Sequence, residues 1–374
     1  MITVKHITSK SDIKKFVLFQ HELYKDNPYY VPPIFKDEQD IFDTTKNQVF
    51  KNADCSLFLA YRDEQIVGRI AAIINYVEIN EQHRAKMRFG WMDMVDDLEV
   101  TKALLAEVER IGKEKKLAYM EGPLGFSNMD KGGMLVHGFD EMNTMITWYN
   151  HPYYMKHMEQ LGFVKETEWV EFKFQTPNPI PEKINKFASI VAARYKLTNL
   201  KFKTAKEILP YVEDMFGLLN KTYSSLVSFV PIQQYQIELY KNKYMPYINP
   251  DFVELVIDED KKLVGFSVTM PSFSEALKKA NGSLFPFGFL HLLRAKKKNT
   301  KAAFYLIGID PVYQGKGVTA MIFRNITQNL IHYNITECET NPELADNLAV
   351  QASWKNYDPT LHKRRRTYRK ELQD

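Results

Sequence analysis

The sequence predicts a mixed α/β fold (α/β class, with an α+β mixed sheet) that occurs twice in tandem along 374 residues. Residues 2–24 are typical of a strand, a turn and an amphipathic helix, and residues 197–223 repeat that order. Two apolar strands joined by a charged turn follow in each copy, at 56–73 and at 253–270. The offset is about 195 residues in both comparisons. We therefore expect two copies of one fold, with two unrelated α+β domains as the alternative.

Each copy then continues with a further strand and helix. These are expected at 87–95 and 100–115 in the first copy, and at 302–310 and 318–334 in the second. Three prolines within 176–184 forbid regular structure and indicate a connection between the copies. We expect an N-terminal domain over 1–175, a linker region over 176–194 and a C-terminal domain over 195–374.

Composition excludes several classes of protein. Apolar residues make up 45% of the chain, which can form a core, and 50 basic against 46 acidic residues leave a formal charge of +4. This charge is too small for nucleic-acid binding by electrostatics alone. Two cysteines are too few for a disulfide scaffold, and the nine histidines lack metal-ligand spacing. From this histidine spacing we expect no metal. No signal peptide is recognised and no apolar run approaches the roughly 18 residues of a membrane-spanning helix, so we expect a cytoplasmic protein without a transmembrane segment.

The turn between the last strand and helix differs in the two copies. In the second copy it is PVYQGKGV (311–318), and in the first it is the acidic DDLE (96–99). Gly315 and Gly317 let the backbone approach an anion closely, and the helix dipole adds about half a positive charge there. The second turn therefore predicts a phosphate-binding site. The alternative is a glycine turn that only serves helix packing.

The segment GIDPVYQGKGVTAMIF resembles the acyl-CoA loop of the GNAT superfamily of N-acyltransferases. Gln314, Gly317 and Thr319 occupy the positions of its Arg/Gln-x-x-Gly-x-Gly/Ala signature, with Thr319 in place of the small residue. Residues 150–172 resemble the final helix, Gly-Phe turn and strand of that fold. The whole chain, including 27–33, 121–140 and 362–372, resembles a bacterial family of tandem GNAT-like proteins.

The resemblance implies acyl transfer from acyl-CoA, with acetyl-CoA as the expected co-substrate, to an amine bound in the same complex. It implies that only the second copy binds CoA, while the first is structural or forms a wall of the acceptor cleft. It implies a tyrosine acid, for which we expect Tyr357, just past a helix expected at 343–356, with Trp354 as the alternative in a packing role. The expected CoA-binding residues are Ile307, Ile309, Gln314, Gly315, Lys316, Gly317, Val318, Thr319 and Asn347.

A base is expected on the next strand, ITECE (335–339). Alternation places Glu337 and Glu339 on one face, where each raises the pKa of the other, and Cys338 on the opposite face. The alternative is a pair of solvated glutamates at a sheet edge. Cys338 is either a nucleophile or a buried, unreactive thiol.

Two further segments bear on partners. Residues 271–301 are an insertion relative to the first copy, and 284–298 suit an apolar acyl pocket, a peripheral membrane contact or a buried helix. The basic tail 362–370 suits phosphate binding or a final strand, and we expect the strand. The acceptor is expected to be a small-molecule or peptide amine, and nucleic acid is not expected. The competing functions are an aminoacyl-tRNA-dependent transferase and a non-catalytic acyl-CoA-binding module.

Overall fold

A computed structural model describes residues 1–224, 226, 229–245 and 248–372. The strands and helices of the N-terminal half are β1 (Ile2–Ile7), α1 (Lys10–Tyr24), α2 (Phe35–Ile41), β2 (Ala53–Arg62), β3 (Gln65–Asn75), α3 (Tyr76–Asn80), β4 (Lys86–Met94), α4 (Leu98–Glu114), β5 (Tyr119–Gly122), β6 (Met134–His137), α5 (Tyr153–Gln160) and β7 (Val164–Gln175).

The C-terminal half continues with a similar order and an inserted helical segment. Its elements are α6 (Glu182–Tyr195), β8 (Thr198–Leu200), α7 (Val212–Tyr223), α8 (Gln234–Tyr244), β9 (Val253–Ile257), β10 (Leu263–Pro271), α9 (Ser274–Ala280), α10 (Gly288–Lys297), β11 (Lys301–Ile309), α11 (Val318–His332), β12 (Glu337–Thr340), β13 (Glu343–Leu344), α12 (Leu348–Gln351) and β14 (Thr360–Glu371). The basic tail is thus confirmed as a strand.

The first compact unit consists of Met1–Val170, Ser274–His291 and Lys363–Asp374. Strands β1 to β4 pair antiparallel in chain order, and β5 joins parallel to β4. The end of β14 pairs antiparallel with β5, with Tyr368 opposite Gly122. Helix α4 packs on β3 and contributes Val100, Leu104 and Val108 to the core, at the spacing of one helix face.

The second compact unit consists of Glu171–Phe273 and Leu292–His362. It repeats the plan, because β8 to β11 pair antiparallel and β12 joins parallel to β11. The end of β7 then pairs antiparallel with β12, with Phe174 opposite Cys338. Helices α6 and α11 pack on each other, and α11 buries Val318, Ile322 and Ile326 in this core.

The sheet of each unit is closed by a strand from the other half of the chain. The expected domain boundaries at 175 and 195 do not allow for this exchange. The strand that closes the first sheet comes from the end of the chain, and the strand that closes the second comes from the N-terminal half. Strands that pair across a long stretch of sequence leave no local signal of their pairing. A hydrophobic pattern therefore predicts where a strand lies in the chain, but not which strands lie beside it in the sheet.

Two expected segments differ from the structure. The expected linker region 176–194 contains helix α6, which begins directly after Pro181 and buries Ile184, Ala188 and Val191 along one face. The helix expected at 343–356 is instead broken into β13, α12 and a 3₁₀ turn over Ala352–Tyr357. The break lies at Asn347, whose side chain accepts a hydrogen bond from the amide of Val350 and so caps α12.

Candidate functional site

The turn that precedes α11 carries backbone amides that no side chain of the turn caps. Gly315 and Gly317 have φ of 73° and 83°, and Gly317 is the N-cap of the helix. The helix has no side-chain cap and no acidic residue in its first turn. The first amides of a helix lack partners within the helix and attract negative charge. This geometry supports the anion site that the sequence predicts.

The two glycines have different surroundings. A Cβ at Gly315 would meet nothing within 4 Å, so this backbone faces open space. A Cβ at Gly317 would lie 2.7 Å from the ring of Phe187 and 3.0 Å from Val191, both on α6. Lys316 adds a positive charge beside the turn, with its Nζ 5.2 Å from the ring centre of Tyr313. Gly317 is therefore required by packing as well as by its φ, whereas Gly315 leaves room for a ligand.

The equivalent turn of the first unit is capped by its own acidic residues. Asp97 is the N-cap of α4, and its carboxylate accepts a 2.9 Å hydrogen bond from the amide of Glu99. Asp97 also forms an ion pair with Arg62. The Asp97 carboxylate thus caps the first amides of α4, whereas the first amides of α11 have no side-chain cap.

Strand β11 extends beyond its pairing with β12. The parallel register ends with Phe304 opposite Thr340, whereas β11 continues to Ile309. Asn341 closes the end of this register, because its side-chain amide donates a 3.2 Å hydrogen bond to the carbonyl of Tyr305. We call residues 305–309 the β11 edge.

Backbone direction decides which amides the β11 edge presents. The amide of Asp310 donates to the carbonyl of Val264 on β10. Because backbone groups alternate along a strand, the N–H and C=O of Gly308 also point toward β10, whereas those of Ile307 and Ile309 point away from it. The carbonyl of Ile307 accepts from the hydroxyl of Tyr223 at 2.9 Å, and that of Ile309 accepts from Gln314 at 3.1 Å. An extended ligand with amide groups can add to such an edge.

A half-buried acid, Glu343, lies near this edge. Glu343 Oε1 accepts a 2.6 Å hydrogen bond from Trp354 Nε1, while Oε2 is buried without a hydrogen-bond partner among the described residues. Burial raises the pKa of Glu343 to about 7. Burial, and then the charge of Glu343, raises the pKa of Tyr223 to about 12. Sequence reasoning missed both residues, since a glutamate after a strand and a tyrosine at a helix end have no distinctive pattern.

The predicted carboxylates lie on one face of β12, as alternation requires. Glu337 forms a 3.0 Å ion pair with Lys301, and both side chains are solvent-exposed. Glu339 is more buried, and its charge, after burial, contributes to the raised pKa of Tyr305. Cys338 is fully buried on the opposite face, and burial raises its pKa to about 12, which favours an unreactive thiol.

The other predicted residues lie elsewhere in the second unit. Tyr357 is buried in an aromatic cluster, with its hydroxyl 3.3 Å from Thr327 Oγ1 on α11. Its ring centre lies 5.2 Å from that of Phe174. Asn347 caps α12 through its side chain. The hydroxyl bonded to the β11 edge therefore comes from Tyr223, whereas Tyr357 contributes to the core.

Comparison with known proteins extends over the whole chain. No family model matches the sequence. Protein YghO of Escherichia coli (strain K12) is 25% identical over 376 residues, which cover 99% of this chain and 95% of that protein. The Bacterial ceramide synthase of Caulobacter vibrioides (strain NA1000 / CB15N) is 24% identical over 384 residues, which cover 99% and 98%.

Solved structures decide the fold. A tandem GNAT protein from the clavulanic acid biosynthesis pathway has a TM-score of 0.56 and 10% identity, with 100% of this chain and 99% of that chain covered. The fold is that of a tandem GNAT protein. A GCN5-related N-acetyltransferase from Sphaerobacter thermophilus gives a TM-score of 0.54 at 9% identity, covering 100% and 96%. The predicted class, two tandem GNAT-like domains of mixed α/β structure, is confirmed.

No group of three His, Cys, Asp or Glu side chains within the described residues is placed to hold a metal ion. No helix within them is both long enough and apolar enough to cross a bilayer.

Proposed function

We propose that this tandem GNAT protein transfers an acyl group from acyl-CoA to an amine. The observation that carries the proposal is the uncapped N-terminus of α11 directly after the β11 edge. The amides of 315 and 317–319 would bind the pyrophosphate, since the expected amides of Gln314 and Lys316 donate instead to the carbonyls of Asp310 and Tyr313. The side chain of Lys316 would add charge. The backbone at Ile307 and Ile309 would pair with the amides of the pantetheine arm. Both features belong to the second unit, which agrees with the capped turn at Asp97 in the first.

The reaction would proceed by direct attack within a ternary complex. The amine nitrogen forms a bond to the thioester carbon, and the carbon–sulfur bond then breaks to release CoA thiolate. Glu343 would accept the proton from the attacking amine, because its pKa of about 7 suits a base near neutral pH. Tyr223 would protonate the thiolate. Glu339 is a second candidate for the base, and Glu337 is less suited because it is paired with Lys301 in solvent.

The acceptor class is suggested by a relative. A ceramide is an N-acylated lipid amine, and the relative from Caulobacter vibrioides is called a ceramide synthase. We therefore add lipid amines, with donors longer than acetyl-CoA, to the substrates to be tested. An aminoacyl-tRNA-dependent transferase would not need the glycine turn, and a binding module would bind acyl-CoA without turnover.

The decisive experiment is calorimetric titration with acetyl-CoA, longer acyl-CoAs and desulfo-CoA. Thr319→Glu places a carboxylate at the second helical position, where it stabilises the helix and repels pyrophosphate. Thr319→Gln is the matched neutral control. We expect binding by the wild type and the control, and a loss of more than about tenfold with Thr319→Glu.

Two results would contradict the assignment. If Thr319→Glu binds as tightly as Thr319→Gln, the turn does not hold the pyrophosphate. If the wild type shows no binding, CoA-dependent transfer fails, and filter binding with charged tRNA tests the transferase alternative. Binding without turnover of any amine would favour the non-catalytic module.

A further inference from the structure

The inserted segment 283–298 exposes large apolar side chains. It consists of a loop followed by helix α10. The exposed apolar residues are Phe285 (78% exposed), Phe287 (69%), Phe289 (36%), Leu290 (50%) and Leu293 (48%). Isolated exposed apolar residues are common, but five within nine residues indicate an interaction site.

The amphipathic pattern of α10 is inverted over its first two turns. The inward stripe consists of Gly288, Leu292 and Ala295, at spacings of four and three. Only Leu292 among the residues of α10 is fully buried, while the outward side begins with Leu290 and Leu293. A helix that meets only water carries polar residues on its outward side. This outward side therefore suits an apolar environment.

The loop before α10 holds its phenylalanines in a defined conformation. Ser283 Oγ donates a 2.8 Å hydrogen bond to the carbonyl of Phe285, and the amide of Phe289 donates to the carbonyl of Leu284 at 2.8 Å. A Cβ at Gly288 would lie 1.9 Å from the carbonyl oxygen of Ser283, so the loop and the helix start are in tight contact. The rings of Phe285 and Phe289 are 6.0 Å apart. The exposure is thus built into the local structure.

Basic residues follow the apolar surface along the same helix. Arg294, Lys297 and Lys298 are exposed. Helical spacing puts Arg294 and Lys297 on the same side as Leu290 and Leu293. Apolar side chains that insert into a lipid interface, beside cations that pair with lipid phosphates, describe a peripheral membrane contact. A second copy of this chain would present the same positive charge to the surface and be repelled.

We propose that segment 283–298 docks the protein on an anionic bilayer surface. The rings of Phe285 and Phe287 and the side chain of Leu290 insert at the headgroup boundary, and the cations of Arg294, Lys297 and Lys298 lie over the lipid phosphates. Helix α10 lies on the bilayer, since its 10 residues extend only about 15 Å. Docking itself needs no CoA. Its link to a lipid-borne amine rests on the proposed function.

The test is cosedimentation of the full chain with phosphatidylcholine vesicles, with and without phosphatidylglycerol. We expect binding that requires the anionic lipid. It should weaken when salt rises from about 0.1 M to about 1 M, because the Debye length falls from about 10 Å to about 3 Å. Phe285→Ser/Phe287→Ser/Leu290→Ser should reduce partitioning by more than about tenfold. Val164→Ser/Ile190→Ser/Leu239→Ser is the control with the same number of substitutions, since all three residues are exposed in other segments.

The charges are tested separately. Arg294→Gln/Lys297→Gln/Lys298→Gln should abolish the salt dependence, whereas Lys14→Gln/Lys102→Gln/Lys156→Gln, at exposed sites elsewhere, should retain it. The proposal is overturned if the wild type does not bind anionic vesicles, or if the serine triple variant binds as well as the control. It is also overturned if sedimentation shows a dimer that the triple variant converts to a monomer, because a second copy then covers the surface. Titration with acyl-CoA in the absence of vesicles tests the proposed function independently. Failure of membrane docking can therefore be distinguished from failure of CoA binding.

Discussion

The hydroxyl of Tyr223 donates a 2.9 Å hydrogen bond to the carbonyl oxygen of Ile307. This bond fixes a phenol from α7 against the β11 edge, where the pantetheine arm is proposed to bind. Burial and the nearby charge of Glu343 raise the pKa of the phenol to about 12, so it keeps its proton at neutral pH. A protonated phenol at this position is suited to donate to a departing thiolate.

The first prediction concerns which tyrosine is the acid. Tyr223→Phe should lower kcat by about 10²-fold or more, with little change in acyl-CoA affinity, because it removes a proton donor and leaves the turn intact. Tyr357→Phe should retain kcat and lose about 1 kcal/mol of stability, because its hydroxyl contacts Thr327 in the core. Steady-state release of CoA and urea unfolding measure the two effects. The reverse order of kcat losses would restore Tyr357 as the acid.

The second prediction concerns the base. If Glu343 accepts the proton, kcat should rise with pH around about 7, and Glu343→Gln should remove this dependence and lower kcat by about 10²-fold or more. Glu254→Gln is the matched control, because burial also raises the pKa of Glu254 to about 7 while its carboxylate accepts from Asn199 and Asn325. A pH profile that changes with Glu339→Gln and not with Glu343→Gln would assign the base to Glu339.

The third prediction concerns stability and applies to Glu343 and Glu254 alike. A raised pKa means that the folded state favours the protonated acid. The stabilisation that each acid gives to the folded state is therefore complete below its ordinary pKa of 4.5, and it is lost as pH rises through about 7. Each glutamine variant should therefore gain about 1–3 kcal/mol of unfolding free energy over the wild type at pH about 8 and little at pH about 4. Urea unfolding at both pH values measures this. A gain of the same size at both would contradict the assignment.

The geometry of the glycine turn before α11 could be predicted from the sequence because its signals are local. A strand, two glycines and an amphipathic helix are contiguous, and the structure has Gly317 as the N-cap of α11. Alternation likewise predicted that Cys338 lies opposite Glu337 and Glu339. Such features depend on residues close together in the chain.

The site carboxylate could not be predicted in the same way. Glu343 differs from an ordinary surface glutamate only through burial and its contact with Trp354. Tyr223 joins the site because α7 packs on β11, which joins residues 84 positions apart. The exchange of closing strands between the units is also non-local. The sequence therefore predicts the glycine turn better than it predicts the groups proposed to move protons.

The fourth prediction tests the proposal that only the second unit binds the anion. Asp97→Ala removes the N-cap of α4 and should cost about 0.5–2 kcal/mol of unfolding free energy. Affinity for acyl-CoA should not change, because the proposed site is in the second unit. Asp96→Ala is the control, since its side chain is mostly exposed and does not cap the helix. An equal loss from both variants, measured by urea unfolding, would argue against the capping role.

The fifth prediction separates the two glycines of the turn. Gly315→Ala should cost about 1 kcal/mol, from its positive φ alone, because its Cβ would meet open space. Gly317→Ala should cost more, because its Cβ would lie 2.7 Å from the ring of Phe187. In double-mutant cycles, the coupling energy between Phe187→Ala and Gly317→Ala should be about 0.5–3 kcal/mol, and that between Phe187→Ala and Gly315→Ala should be small. Urea unfolding of both double-mutant cycles measures these energies. Equal costs for the two glycine variants, or no coupling at Gly317, would mean that α6 does not restrict the turn. Any effect of Gly317→Ala on CoA binding would then be attributed to contact with the ligand alone.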